Sequence, residues 1–122
     1  MAKTIMIVDD SASLRQVVAI SLKGAGYDVV EACDGKDALS KLDGRKLHLI
    51  ISDVNMPNMD GISFVKAVKQ LAAYRFTPIA MLTTETTDAK KKAGQEAGAR
   101  AWVVKPFKPE TLLGVVQKLV LP

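Results

Sequence analysis

Five short apolar runs set the pattern of this chain, and between them apolar residues recur every three or four positions. The runs are residues 4–8 (TIMIV), 28–32 (DVVEA), 47–52 (LHLIIS), 78–82 (PIAML) and 101–104 (AWVV). Apolar runs of this length, closed by turn residues, predict buried strands. The intervening segments predict amphipathic helices. The first starts at Ser11 or Ser13 as N-cap, carries Leu14, Val17, Val18, Ser21, Leu22 and Ala25 on one stripe, and stops at Gly24 or Gly26. A short helix over residues 35–42 turns Ala38 and Leu39 inward. Asp60 caps a third, with Ile62, Val65, Val68, Leu71 and Ala72 facing the core. A fourth follows Thr87 or Asp88, spans about residues 89–97 and ends at Gly98. Pro109 suits the first turn of the last, whose inner stripe is Leu112, Val116, Leu119 and Val120.

Strand and helix therefore alternate five times. Near-continuous apolar strands with helices between them predict an α/β fold, a five-stranded parallel sheet covered on both faces. The length of 122 residues suits one domain, expected to span residues 1–122 with no output domain. No internal repeat or linker interrupts it.

Parallel strands place their carboxyl ends along one edge. Just past those ends stand Asp9 and Asp10, Asp53, Thr83 and Lys105, from the first, third, fourth and fifth strands. With strand order 2-1-3-4-5 the three aspartates meet at the reversal point, where such sheets bind ligands. Clustered carboxylates raise one another's pKa unless a cation intervenes. Oxygen donors of this kind suit Mg2+, which takes one or two carboxylates plus water and phosphate. Lys105 supplies a mobile point charge and Thr83 a hydroxyl, both suited to a phosphoryl oxygen. Positioning and charge neutralisation around one carboxylate are what phosphoryl transfer requires, with Asp53 as the nucleophile.

At these residues the chain resembles the receiver domain of two-component response regulators, especially the stand-alone chemotaxis type. The resemblance rests on IMIVDD at residues 5–10, ISDVNMPNMDG at 51–61, MLTT at 81–84 and VVKPF at 103–107, in this order and spacing. It implies a flavodoxin-like three-layer fold. Asp53 would accept a phosphoryl group from the phosphohistidine of a chemotaxis-type histidine kinase. Asp10 and Asp53 would bind Mg2+ (or Mn2+ in its place), with the Asn55 carbonyl as a further ligand and Asp9 acting through water. Lys105 would pair with the carboxylate and then the phosphoryl group, Thr83 would move toward it, and Lys105–Pro106 would be cis. Asn55 and Glu85 stand at the two positions that tune self-hydrolysis. Trp102 occupies the switch-aromatic position and either swings inward or stays fixed. Thr84 stands where a small residue is usual and should slow access to the site.

The resemblance also implies a readout surface on the fourth helix, the fifth strand and the last helix. The fourth helix has only alanines as apolar residues and Gly94 inside it, so it is expected to be weakly held. Gly114 and Val115 lie off the last helix's buried stripe. The downstream partner would be the flagellar switch or a phosphatase, and a phosphate sink or relay role is the alternative. A phosphohydrolase of the haloacid dehalogenase type also uses an aspartyl-phosphate, but it needs a second Asp two residues on, where this chain has Asn55.

Composition excludes little beyond this. The net charge of +4 reads as spread out, densest at Lys90, Lys91 and Lys92, on what is expected to be a solvated helix face. Six scattered aromatics offer no base-stacking surface, so no nucleic-acid partner is expected. No apolar run approaches the roughly 20 residues of a membrane span. A single cysteine, Cys33, expected to be partly buried, cannot form an internal disulfide and favours a reducing cytoplasm; a monomer is expected. His48 reads as structural, at the edge opposite Asp53.

Overall fold

The computed structural model describes residues 3–54, 56–83 and 88–120, without the side chains of residues 88–91. Ten elements alternate along it: β1 (Thr4–Val8), α1 (Ala12–Gly24), β2 (Asp28–Ala32), α2 (Gly35–Lys41), β3 (Leu49–Asp53), α3 (Gly61–Lys69), β4 (Ile79–Thr83), α4 (Asp88–Ala97), β5 (Ala101–Val104) and α5 (Pro109–Leu119). The strands form one parallel sheet in the order β2-β1-β3-β4-β5. β1, β3 and β4 are flanked by strands on both sides and buried almost throughout, as their unbroken apolar runs require.

Alternation along the strands divides the core into two layers. Ile5, Ile7, Leu49, Ile51, Leu82 and Val103 face Val18 and Leu22 of α1 and Leu112 and Val116 of α5. Met6, Val8, Ile50, Ile79 and Met81 face Ala38 of α2 and Phe64, Val65 and Val68 of α3. Trp102 packs against this second layer.

Side-chain caps set the helix starts. Ser11, Asp34 and Asp60 each accept the backbone N–H three residues on, from Leu14, Asp37 and Ser63. Gly98, at φ +120, closes α4 in the left-handed region that glycine tolerates.

β3 and β4 run further toward the carboxyl edge than their apolar letters predict. β3 begins at Leu49. One residue earlier the His48 N–H still donates to the Thr4 carbonyl at 2.8 Å, but the Thr4 N–H donates to the His48 ring at Nδ1, 3.0 Å, and not to a backbone carbonyl. At the other end the Val54 N–H donates to the Leu82 carbonyl and the Lys105 N–H to the Thr83 carbonyl. The ladder thus reaches Asp53 and Thr83.

On α1, Val17 is 55% exposed while Ala19 is buried. The helix presents Val18 and Leu22 to the sheet, and Val17 falls to the side of that line. Ala25 is exposed at the C-cap. α3 ends at Lys69, so Leu71 and Ala72 lie beyond it and are exposed, while Phe64 fills the inner face. Leu119 and Val120 are only partly buried, and Cys33 is exposed. No helix among the described residues is long and apolar enough to cross a membrane.

Candidate functional site

Four strand ends deliver one side chain or more each to the same edge. Asp9 follows β1 and is fully buried, Asp53 ends β3 at 6% exposure, and Thr83 ends β4 fully buried. Asp10 is exposed and Lys105 is partly buried just beyond β5. Asp53 pairs in register with Leu82, so Thr83 stands one residue nearer the edge on the adjacent strand.

The Lys105 ammonium reaches both buried carboxylates, Asp9 Oδ2 at 3.0 Å and Asp53 Oδ2 at 3.4 Å. The Lys105–Pro106 peptide is cis, as the resemblance implied. Asp53 is oriented by its neighbour, since the Val54 N–H donates to Oδ1 at 2.8 Å. Asp9 is held from two sides, its Oδ1 accepting the Ser11 N–H at 2.9 Å. Arg15, from the first turns of α1, donates to the Asp9 carbonyl at 2.6 Å.

Burial, and after it the Asp9 carboxylate, pushes the Asp53 carboxyl above the ordinary carboxylate range. Lys105 and the Val54 N–H pull it the other way without cancelling that rise. Two buried carboxylates sharing one ammonium leave residual negative charge at the edge. Asp9, Asp10 and Asp53 each place a carboxylate oxygen within 4.8 Å of the others. A cluster of hard oxygen donors with that spacing fits a divalent cation of the Mg2+ class.

Two glycines belong to this site and carry no signal in a pattern of apolar positions. Gly61 opens α3 directly against the end of β3. A Cβ there would overlap the Asp53 carbonyl oxygen and lie 2.8 Å from Val54 Cα. The Gly61 N–H also donates to the Val54 carbonyl at 2.7 Å. The invitation to see this was its place at the end of the Asn, Pro, Asp and Gly loop.

Gly94 lies buried under Trp102. A Cβ on Gly94 would stand 2.6 Å from Trp102 Cζ3 and 3.3 Å from Cε3. The glycine that reads as a weak point in α4 is therefore the seat of the indole. Trp102 is partly buried in this position. Beside it, Trp102, Val104, Phe107, Lys108, Thr111 and Val115 line a groove of about 520 Å³ between β5 and α5. Val115 is thus part of a concave surface.

Asn55, Thr84 and Glu85, assigned ligand and tuning roles from the sequence, lie outside the described residues. So do the side chains of Lys90 and Lys91. His48 is structural, its ring accepting the Thr4 N–H at the edge opposite Asp53.

Comparison with known proteins places the chain. The family described as "Response regulator receiver domain" matches residues 5–117. Protein PilG of Pseudomonas aeruginosa is 34% identical over 113 residues, 93% of this chain and 84% of the relative. Chemotaxis protein CheY1 of Helicobacter pylori is 38% identical over 110 residues, 88% of this chain and 89% of the relative. Among solved structures, Vibrio cholerae chemotaxis protein CheY4 superposes with a TM-score of 0.94 at 51% identity, covering 98% of this chain and all of that one.

Proposed function

We propose that this chain, which belongs to the response regulator receiver domain family, accepts a phosphoryl group on Asp53 from a histidine kinase and passes the signal on through its α4-β5-α5 surface. The observation that carries this reading is the Lys105 ammonium between two buried carboxylates, at 3.0 Å from Asp9 and 3.4 Å from Asp53. A lysine so placed neutralises the nucleophile's surroundings before transfer and can follow the phosphoryl oxygens afterwards.

In the step itself an Asp53 carboxylate oxygen attacks the phosphorus of the phosphohistidine. The new O–P bond forms as the P–N bond breaks, and the imidazole nitrogen keeps the electron pair. Asp53 Oδ2 faces Lys105, while Oδ1 is held by Val54. Thr83, at the next strand end, would donate its hydroxyl to a phosphoryl oxygen.

Asp10 and Asp53 would hold Mg2+, with the Asn55 carbonyl and, through water, Asp9. When bound, the ion supplies positive charge against the carboxylates and the phosphoryl oxygens. The exposure of Asp10 leaves it open to such an ion, whereas Asp9 is occupied by Ser11 and Lys105.

The product carries about one more negative charge than the carboxylate it replaces. That charge draws Thr83 and Lys105, and Lys105 continues from the strand that holds Trp102. Since Trp102 rests on Gly94, motion at β5 is transmitted to α4. The likeness to proteins named for chemotaxis supports control of the flagellar motor as the output, with a phosphate sink or relay role as the alternative. The reading makes the chain a cytoplasmic signalling phosphoacceptor that catalyses its own phosphorylation and dephosphorylation, not an enzyme turning over an external substrate.

The test is transfer from a histidine-kinase domain carrying radiolabelled phosphohistidine. Label should move to the wild-type chain with Mg2+ present and stay on the kinase with Asp53→Asn. Label reaching both chains equally would overturn the assignment, and release as free phosphate with no labelled chain would favour a hydrolase.

A further inference from the structure

The fold gathers a cluster of basic residues at the edge opposite Asp53, where the amino ends of β3, β4 and β5 lie. Segments 43–47, 69–77 and 98–100 meet there. Tyr74 ties the first two together: its buried hydroxyl donates to the Arg45 carbonyl at 2.8 Å and accepts the Gly44 N–H at 2.9 Å. Lys69 donates to the carbonyls of Arg75 and Thr77 at 3.1 and 2.7 Å. Gly98 lies over the Lys69 side chain, and the Arg100 N–H donates to the Ile79 carbonyl.

These segments hold Arg45, Lys46, Lys69, Arg75 and Arg100 against one acid, Asp43. They take five of the chain's 17 basic and one of its 13 acidic residues, so the twelve of each that remain elsewhere cancel. Within these segments the balance is +4, equal to the net charge of the whole chain. Cations that stand far apart in the sequence are brought together by the topology.

The pole is also apolar. Phe76 is 81% exposed and Leu71 38%. A groove of about 320 Å³ runs between Arg45, Lys46 and Leu47 on one side and Ala72, Ala73 and Phe76 on the other. Its walls are the two loops that Tyr74 staples, so the groove is formed before anything enters it.

We propose that this pole docks an acidic, partly apolar segment of a partner protein. Carboxylates of that segment would meet Arg45, Lys46, Arg75 and Arg100, and an apolar side chain would enter the groove beside Phe76. A nucleic acid would want several stacking rings, and the pole exposes one, because Tyr74 is buried. A bilayer would want a broad convex apolar face, and here the apolar surface lines a concavity between cations.

The docking is independent of phosphorylation. The groove's walls, from residues 44–47 and 72–77, belong to the α2–β3 and α3–β4 connections and not to the α4-β5-α5 surface. A five-residue strand at about 3.3 Å per residue also separates them from Asp53. The pole therefore serves to hold the chain near its partner, while the α4-β5-α5 surface reports its state.

The test is titration of the isotope-labelled full chain with a synthetic Glu-Glu-Leu repeat peptide, read by amide chemical shifts and by anisotropy of the fluorescein-labelled peptide. Shifts should map to segments 43–47, 69–77 and 98–100, and be the same with and without a phosphodonor. Arg75→Glu and Phe76→Ser should each weaken binding about tenfold. Lys36→Glu, an equal change of charge at the exposed start of α2 on the opposite edge, should leave it within about twofold. Trp102 fluorescence checks that each variant is folded. Equal weakening by Lys36→Glu, shifts elsewhere, or no peptide binding would overturn the proposal. So would tighter binding of poly-uridine or phosphatidylglycerol vesicles than of the peptide.

Discussion

The Trp102 indole occupies the space that a side chain at Gly94 would need, with 2.6 Å between Cζ3 and the missing Cβ position. This contact joins β5 to α4 and gives the sheet a grip on a helix whose own apolar residues are all alanines. It also makes a prediction whose sign depends on the background. Gly94→Ala should cost about 1–3 kcal/mol in the native chain, the usual result of overpacking. With Trp102→Ala in place, the same change should stabilise by about 0.5–1 kcal/mol, because alanine is the better helix former. Denaturant unfolding followed by circular dichroism measures both, and a loss of equal size in the two backgrounds would contradict the contact.

Gly61 and Gly114 should behave oppositely. At Gly61 a methyl group meets the Asp53 carbonyl and Val54 Cα, which are backbone atoms that cannot rotate away. Gly61→Ala should destabilise by about 1–3 kcal/mol or more, and slow phosphorylation of Asp53. At Gly114, inside α5, nothing lies within 4 Å. Gly114→Ala should stabilise by about 0.5–1 kcal/mol. Thermal unfolding of the two variants side by side checks the contrast.

Sequence pattern reached the site further than it reached its supports. β1, β2 and β5 begin and end where their apolar runs do, and the parallel order then forces Asp9, Asp53, Thr83 and Lys105 to one edge. The reason is topological: residues past the strand ends meet whatever their spacing in sequence. Val17 falls off the expected stripe because a 3.6-residue period leaves the centre of the stripe open by one position, and only the α1–sheet contact settles it. Gly61 and Gly94 were illegible for a different reason. A glycine in sequence can be a cap, a turn or a spacer, and what fills its empty space is known only once the neighbouring segment is placed. The basic pole was hidden because its five cations come from three segments far apart in the chain.

Asp43 gives a pH test at that pole. Hydrogen bonds from the Arg45 side chain, and next from its backbone N–H, lower the Asp43 carboxyl from 3.8 to about 2. A carboxyl lowered by folding stabilises the native state above its unfolded pKa, and that contribution fades as pH falls from 3.8 toward 2. Carbon-detected titration should place its midpoint near 2, and Arg45→Ala should move it back toward 3.8. The pair is exposed, so the effect on stability should be small.

Asp53 should weigh against folding in the absence of divalent ions. It is a buried carboxylate beside the buried Asp9, and Lys105 already has Asp9 at 3.0 Å. Asp53→Asn removes one of the two like charges and leaves that ion pair in place. At neutral pH without Mg2+, Asp53→Asn should therefore raise the unfolding midpoint. Adding Mg2+ should raise the wild-type midpoint more than that of the variant, and equal shifts in both would remove Asp53 from the cation site.

Intact mass after incubation with acetyl phosphate and Mg2+ tests the phosphoacceptor assignment most directly, because it needs no partner protein. The wild-type chain should gain one phosphoryl group, Asp53→Ala should gain none, and Lys105→Ala should gain it more slowly. Equal labelling of wild type and Asp53→Ala would contradict the account.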